Sequence, residues 1–366
     1  MTTVNDILSI LAATAPLATQ ESYDNAGLQI GDPNMNTDKA LITLDVTEDV
    51  VDEAIAKSCQ LIVSHHPLIF RPLKNLVPTT ATQKTAIKIV RSGMALISMH
   101  TNLDNSFYGV NHILAETLCL SNIKILQPTS GTLLKLVVYV PTSHCEDLRQ
   151  ALFDAGCGTI GAYDECSFGV NGKGSFRASQ GTNPFVGKIG ERHYEDEVAI
   201  ATILPAHRLA CTVEAIRAAH PYEEPAYDIF RLDNDDPTTG AGMTGTLCND
   251  MTEDEFLAHV SQKLNAHCLR HNATTGRTIR KVAICGGSGA FLAQQAARAG
   301  ADAYVTADIK YHDFADTDKL LLVDAGHFET EQFAKHLLKD IIIKKIPNFA
   351  ALISERSHNP IHYFVK

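Results

Sequence analysis

No apolar run in this 366-residue sequence approaches the roughly 20 residues that a bilayer-spanning helix requires. That shortage excludes a membrane-embedded helical protein. The first residues, Met1-Thr2-Thr3-Val4-Asn5-Asp6, lack the basic stretch of a secretory signal. Val4, Ile7, Leu8 and Leu11 instead fall at helical spacing and predict an amphipathic first helix. The nine cysteines contain no C-x-x-C pair. Most of them, including Cys59, Cys119 and Cys285, lie in apolar sequence. They are expected to be reduced thiols of a cytoplasmic protein, neither a disulfide frame nor a zinc finger. Positive charge is also short. Lys and Arg number 31 against 42 Asp and Glu, a net charge of −11. A nucleic-acid binder needs a basic face, so the balance argues against one. The same acidity suits a carboxylate-rich cation site, and ordinary surface charge explains it equally well.

What is present is ordinary globular material, 45% hydrophobic and 20% charged, in a chain long enough for two domains. The first third alternates strand and helix. Strands are expected at 39–46, 61–63 and 95–98, with helices at 48–57 and 82–92. The last third repeats the texture. Strands are expected at 281–285, 303–306 and 320–323, a helix from the Gly286-Gly287-Ser288-Gly289 turn to 299, and another at 329–339. Short apolar strands of this kind belong to a sheet covered on both faces.

Between the thirds the pattern changes. A strand at 133–140, a helix at 143–155 and a strand near 163–170 are followed by a glycine-rich stretch, 171–190, that reads as a long loop. A strand at 195–204, a helix at 207–219 and a strand at 226–232 complete a second strand–helix–strand unit. Two such units describe a ferredoxin-like split βαβ domain. The polar run 233–240 reads as a linker. The fold class is therefore an α/β core with a mixed or parallel sheet, in two sequence segments (1–130 and 236–366), interrupted by an α+β insert (131–235). Three domains in a row is the weaker alternative, because neither end third alone makes a comfortable sheet.

Ligand sites of open α/β sheets lie beyond the carboxyl ends of the strands. The strand within Leu61-Ile62-Val63-Ser64-His65-His66-Pro67 ends in two histidines, and Pro67 stops the ladder. In the irregular backbone past a strand, adjacent side chains can turn toward one point, which they cannot do inside it. The next strand runs into Met99-His100-Thr101-Asn102-Leu103-Asp104. The last core strand ends in Asp324-Ala325-Gly326-His327, followed by Phe328-Glu329-Thr330-Glu331. His327 and Glu331, four residues apart, share one face of a helix start. His65, His66, Asp104, His327 and Glu331 together form a candidate metal-ligand set. Imidazole is the commonest protein metal ligand. Two ions need a carboxylate to bridge or balance them, and Glu331 or Asp104 can do so. His100 is a candidate proton shuttle or outer partner, or else a core histidine bonded to a carbonyl. The acidic first turn also fits simple complementarity to a helix N-terminus, with His327 as a cap.

The Gly286–Gly289 turn offers free N–H groups to an anion, but a tight structural turn is the stronger reading. Asp308, Lys310, Tyr311 and His312 follow the neighbouring strand, where Lys310 or His312 can meet a phosphate or a leaving group, although exposed loop residues would look the same. Tyr23-Asp24-Asn25-Ala26-Gly27-Leu28-Gln29 by itself indicates only a turn.

Ser64-His65-His66-Pro67, His100-Thr101-Asn102-Leu103-Asp104 and Gly326-His327-Phe328-Glu329-Thr330-Glu331 resemble the motifs of the GTP cyclohydrolase I type 2 family, also described as Ngg-interacting-factor-like proteins. Asp24-Asn25-Ala26-Gly27-Leu28-Gln29 and Asp308-Ile309-Lys310-Tyr311-His312 add to the likeness. The segment His220-Pro221-Tyr222-Glu223-Glu224-Pro225-Ala226-Tyr227 resembles the end of the PII/CutA-like insert of its longer members. The resemblance implies a dinuclear site with one ion on His65 and Asp104, the other on His66 and His327, and Glu331 bridging. It implies a ring-shaped homohexamer whose inserts sit at the openings of an internal cavity. Tyr23 departs from the pattern, because the family usually has Trp before Asp-Asn. The implied activity is metal-dependent hydrolysis of GTP.

Two functions of different kind follow. One is a hydrolase of a nucleotide or related cyclic amide, in which two divalent ions per subunit activate water. The mixed His and carboxylate set suits Zn, Mn, Fe or Ni better than Mg or Ca. The other is a non-catalytic metal carrier or regulatory scaffold, to which the insert lends weight. The expected partner is a small molecule, with no membrane and no nucleic acid.

Overall fold

The computed structural model describes residues 1–315 and 320–364. Among them the chain separates into two compact units, Met1–Pro128 with Thr238–Lys366, and Thr129–Pro237. None of their helices is long and apolar enough to cross a membrane.

The larger unit holds two sheets. In the first, the order is Gly27–Ile30, Ala95–Ser98, Leu61–Ser64, Lys39–Thr43, Ala350–Ile353. The last four strands run parallel, and Gly27–Ile30 closes one edge antiparallel. In the second, the order is Arg270–His271, Leu321–Asp324, Ala303–Thr306, Thr278–Ile284, Asp235–Thr252, Leu120–Ser130. Its three central strands are parallel, with antiparallel neighbours on either side. Leu61–Ser64, Ala95–Ser98, Ala303–Thr306 and Leu321–Asp324 are buried at every position. That explains why they read as continuous apolar runs instead of alternating ones.

The core is thus two sheets rather than one, and each borrows a strand. Ala350–Ile353, from the second segment, completes the first sheet. Leu120–Ser130, from the first segment, borders the second. The helix Val4–Thr14 buries Val4, Ile7 and Leu11 against Leu338 and Ile342 of the helix Ala334–Lys345 and against Leu61, Val63 and Ile97 of the first sheet. Val50, Val51, Ala54 and Ile89 cover its other face. Phe256, Val260 and Leu264 cover the second sheet on one side, Leu292 and Ala296 on the other.

The smaller unit has the strands Leu133–Pro141, Ser167–Arg177, Arg192–Pro205 and Tyr227–Arg231 and the helices Cys145–Asp154 and Leu209–Ala219. Its sheet order, second-third-first-fourth with every pair antiparallel, is that of a split βαβ unit. Leu136, Val138, Leu148, Leu152, Ile200 and Ile216 form its own core.

Several expectations are corrected. The glycine-rich stretch is not a loop as far as Arg177, because Ser167–Arg177 pairs along its whole length with Arg192–Pro205. Within it Gly174 marks a close approach, since a Cβ there would overlap the Glu197 carboxylate. From Asp235 onward the expected linker belongs instead to the long strand Asp235–Thr252. There Gly240 lets the chain pass against Gln127 and Pro128, which a Cβ would strike. The single helix expected at 329–339 is two, His327–Glu331 and Ala334–Lys345. The break sends Phe333 into the core of the second sheet and Ala334 and Leu338 into that of the first. The Tyr23–Gln29 segment is more than a turn, since Gly27 begins an edge strand. All nine cysteines are free thiols, but Cys119 is exposed, not packed in apolar surroundings.

Candidate metal centre

The carboxyl ends of both sheets face one cluster of side chains. After Ser64 the backbone stays tied to the neighbouring strand, with the His65 and His66 N–H groups donating to the Thr43 and Leu44 carbonyls. This fixes both histidines just where the ladder ends. Each ring is then held by its Nδ1. His65 Nδ1 lies 2.7 Å from the Met99 carbonyl oxygen, His66 Nδ1 2.8 Å from Asp45 Oδ1, and His327 Nδ1 2.7 Å from Asp308 Oδ2. In the neutral ring, with Nδ1 donating, Nε2 carries the lone pair and faces inward. Metal-ligating histidines are oriented in this way.

The inward atoms converge on Glu331. Its Oε2 is 2.9 Å from both His66 Nε2 and His327 Nε2, and 3.9 Å from His65 Nε2. His66 and His327 Nε2 are 3.3 Å apart. Asp104 Oδ1 lies 3.5 Å from His65 Nε2. His65, His66 and Glu331 each offer an atom within 4.8 Å of the other two. Ligands about 2.1 Å from a shared ion stand about 3–3.5 Å from each other, so the spacings of 2.9 to 3.5 Å fit. His65 Nε2 and Asp104 Oδ1 are buried with no hydrogen-bond partner. Native interiors seldom leave such atoms unpaired without an ion or water to satisfy them. The residues present therefore fit a metal.

The electrostatics agree. Burial opposes the charged His66 ring, but hydrogen bonds to Asp45 and Glu331 outweigh it and raise His66 to about 10. Burial likewise opposes His327, and Glu331 and Asp308 raise it to about 9. Glu331 is buried, which works to protonate it, yet the three histidines hold it well below the usual carboxylate range. Burial pushes Asp104 up to about 7, with His65 opposing and Glu331 reinforcing. The pocket demands positive charge at its centre. Cys285, beside it, is pushed to about 12 by burial and then by Asp104 and Glu331, so it stays a neutral thiol.

His100 lies next to the cluster, its ring 5.4 Å from that of His65 and 5.6 Å from that of His66. Its Nδ1 is 2.7 Å from Asp24 Oδ1. Asp24 also accepts from the Thr101 N–H and hydroxyl. Burial would raise its pKa, but these bonds from His100 and Thr101 hold it far down. Phe70 stands 6.0 Å from His100 and Tyr23 6.3 Å from Phe70, both aromatic rings open to solvent.

Asp45 and Asp24 were not singled out as site residues in the sequence. The strand-end rule applies to Asp45 once the strand is known to stop at Thr43. Asp24 lies in the segment Asp24–Gln29 that adds to the family likeness, but nothing local assigns its partner, His100, 76 positions away. The Gly286–Gly289 turn is structural. Its Gly286, Gly287 and Gly289 N–H groups are taken by Asn111, Thr330 and Thr306. Gly287, at φ +61°, also leaves room for the Glu331 carboxylate. His327 is not a cap, since Gly326 holds that position. Glu329 points elsewhere and accepts from Asn359.

Fold and site together define an α/β protein with a His and carboxylate cluster suited to a metal ion, formed where two sheets end. The sequence model of Duf34/NIF3 (NGG1p interacting factor 3) matches residues 2–360, and the chain belongs to that family. It is 37% identical to a GTP cyclohydrolase 1 type 2 homolog of Bacillus subtilis, over 98% of this chain and 97% of that one. It is 39% identical to the homolog of the same description from Halalkalibacterium halodurans, covering 92% and 91%. Among solved structures, a Bacillus cereus protein related to NIF3 superposes with a TM-score of 0.87, at 38% identity and 99% coverage of both chains.

Proposed function

We propose that this protein binds two divalent metal ions, Zn, Mn, Fe or Ni, and hydrolyses a nucleotide or related cyclic amide. The observation that carries the reading is the position of Glu331 Oε2. It lies between His66 and His327 on one side and His65, with Asp104 behind it, on the other. One ion on His65 and Asp104, another on His66 and His327, and Glu331 across both would satisfy each of these groups. A bound metal pair supplies water activated as a nucleophile near neutral pH. The rest belongs to this chain's own residues. Asp24 stays ionised and holds the His100 ring, which suits Nε2 for moving a proton at the cluster's edge. Tyr23 and Phe70 offer a stacking face to a planar base beside it. The names of the homologues favour GTP as the substrate to try first.

The test is formate release from GTP by metal-loaded protein and by its His66→Ala and Glu331→Gln variants. Turnover lost in both variants supports the reading, and equal release from all three overturns it. Metal analysis accompanies the assay, with two ions per chain expected.

Assembly as a ring-shaped homohexamer, a PII/CutA-like character of the insert and cytoplasmic residence belong to the same proposal. Sedimentation velocity tests the first. A second reading, a non-catalytic metal carrier or regulatory scaffold, is favoured by the insert's separate core and cavity. Metal binding without turnover across a panel of nucleotides and phosphoesters would select it.

A further inference from the structure

The insert contains a cavity of about 310 Å³, lined by Ser175, Phe176, Phe185, Glu197, Tyr222 and Glu224 among others. That volume suits a small molecule. Three of the walls are aromatic. The Phe176 and Tyr222 ring centroids are 5.7 Å apart and those of Phe185 and Tyr222 6.4 Å, each pair tilted instead of stacked flat. Three of the lining residues, Glu197, Glu223 and Glu224, are carboxylates, and no lining residue is basic.

The arrangement is fixed by the backbone. Gly174 on the neighbouring strand has no Cβ to collide with the Glu197 carboxylate. The Tyr222 hydroxyl donates to Glu197 Oε1 at 3.0 Å. His220 accepts from the Tyr222 N–H at 3.0 Å and bonds the Tyr139 carbonyl through its other nitrogen, so the tyrosine loop is anchored to the sheet. Glu223 accepts from the Asn183 N–H at 2.8 Å and ties down the loop that carries Phe185. This assigns a physical role to the His220-Pro221-Tyr222-Glu223-Glu224 motif, which the metal centre does not use.

Aromatic faces carry negative potential and attract a cation lying against them, while nearby carboxylates add charge without excluding apolar substituents. A bare metal ion would gain little from three rings, and a neutral ligand could use the carboxylates only as hydrogen-bond acceptors, not through their charge. We infer that the insert binds a small organic cation of the alkylammonium class in the cavity between Phe176, Phe185, Tyr222 and Glu197. The inference does not rest on the proposed hydrolase activity.

The experiment uses the full chain, stripped of metal with a chelator and also metal-loaded, titrated calorimetrically with choline. A parallel titration uses the neutral isostere that carries a tert-butyl group in place of the trimethylammonium. Choline is expected to bind both preparations with a millimolar or tighter Kd, and the isostere at least about tenfold more weakly. Phe185→Ala and Glu197→Gln are each expected to weaken choline about threefold or more. Phe185 is 51% exposed, so its truncation leaves the insert's core in place, which thermal melting checks. Equal binding of choline and its isostere, or choline affinity unchanged in both variants, overturns the inference.

Discussion

The two sheets contribute to one cluster in different ways. The first sheet supplies His65 and His66 directly from a strand end, with backbone hydrogen bonds on both. His65 is fully buried, and its outer partner is a main-chain carbonyl. The second sheet supplies His327 and Glu331 from a helix barely longer than one turn. There the histidine side chain is 33% exposed and its outer partner, Asp308, is itself open to solvent. His65 is built into the core and His327 is mounted on it, so losing His327 costs less folding energy than losing His65.

The largest effect falls on the residue the two sides share. Glu331→Gln keeps the shape but removes the charge that three imidazoles face. Metal affinity is expected to drop by more than about 100-fold, beyond what loss of an outer partner produces, as read by chelator competition. A smaller loss would mean that the two sides do not meet at Glu331.

Next comes the contrast itself. His65→Ala is expected to lower stability by about 2–3 kcal/mol, from a cavity and an orphaned Met99 carbonyl. His327→Ala, whose ring is partly exposed, is expected to cost less, about 1–2 kcal/mol from the two carboxylate bonds given up, while still impairing metal binding. Urea denaturation of the metal-stripped proteins measures both, and equal costs would break the comparison. Third, Asp45→Asn and Asp308→Asn each remove a carboxylate that orients a ligand ring. Each is expected to weaken metal binding about 10- to 100-fold without unfolding the protein, followed by metal content at limiting metal.

The last effect, far from the cluster, concerns the borrowed strand. Glu53, on the helix Glu48–Ala56, accepts from the Ser354 hydroxyl at 2.6 Å, the Glu355 N–H at 3.0 Å and the Lys57 amine at 2.7 Å. Burial would raise its pKa, but these bonds lower it to about 2 from 4.5. The folded chain therefore binds this proton less readily than the unfolded one. The stabilisation is complete above pH 4.5 and is lost as pH falls toward 2. Glu53→Gln is expected to cost about 1–2 kcal/mol at neutral pH and to erase that part of the acid dependence, seen as a wild-type-minus-variant difference in urea melts.

The parts legible in the sequence were those with local causes. Fully buried strands show as apolar runs, and their carboxyl ends show as His and Asp. The helix Glu253–Leu264 is not among the elements expected from the sequence, although Thr252 and Glu255 form a capping box at its start. What stayed hidden depends on distant neighbours. Ala350–Ile353 is a short apolar run whose partner, Lys39–Thr43, lies almost a chain length away. Gly240 resembles a linker glycine until Gln127 and Pro128 are placed against it. Asp24 gains its role from His100 and Thr101, and no spacing rule connects them.

The strand exchange also constrains assembly in time. Lys39–Thr43 emerges early in synthesis, but its outer neighbour follows only about 300 residues later, so that edge lies open while the chain grows. Closing so long a loop is entropically costly and slow. His327 and Glu331 are likewise made long after His65 and His66. Early translation products therefore carry His65 and His66 on an unfinished sheet, and the full cluster can assemble only after Glu331 has been made.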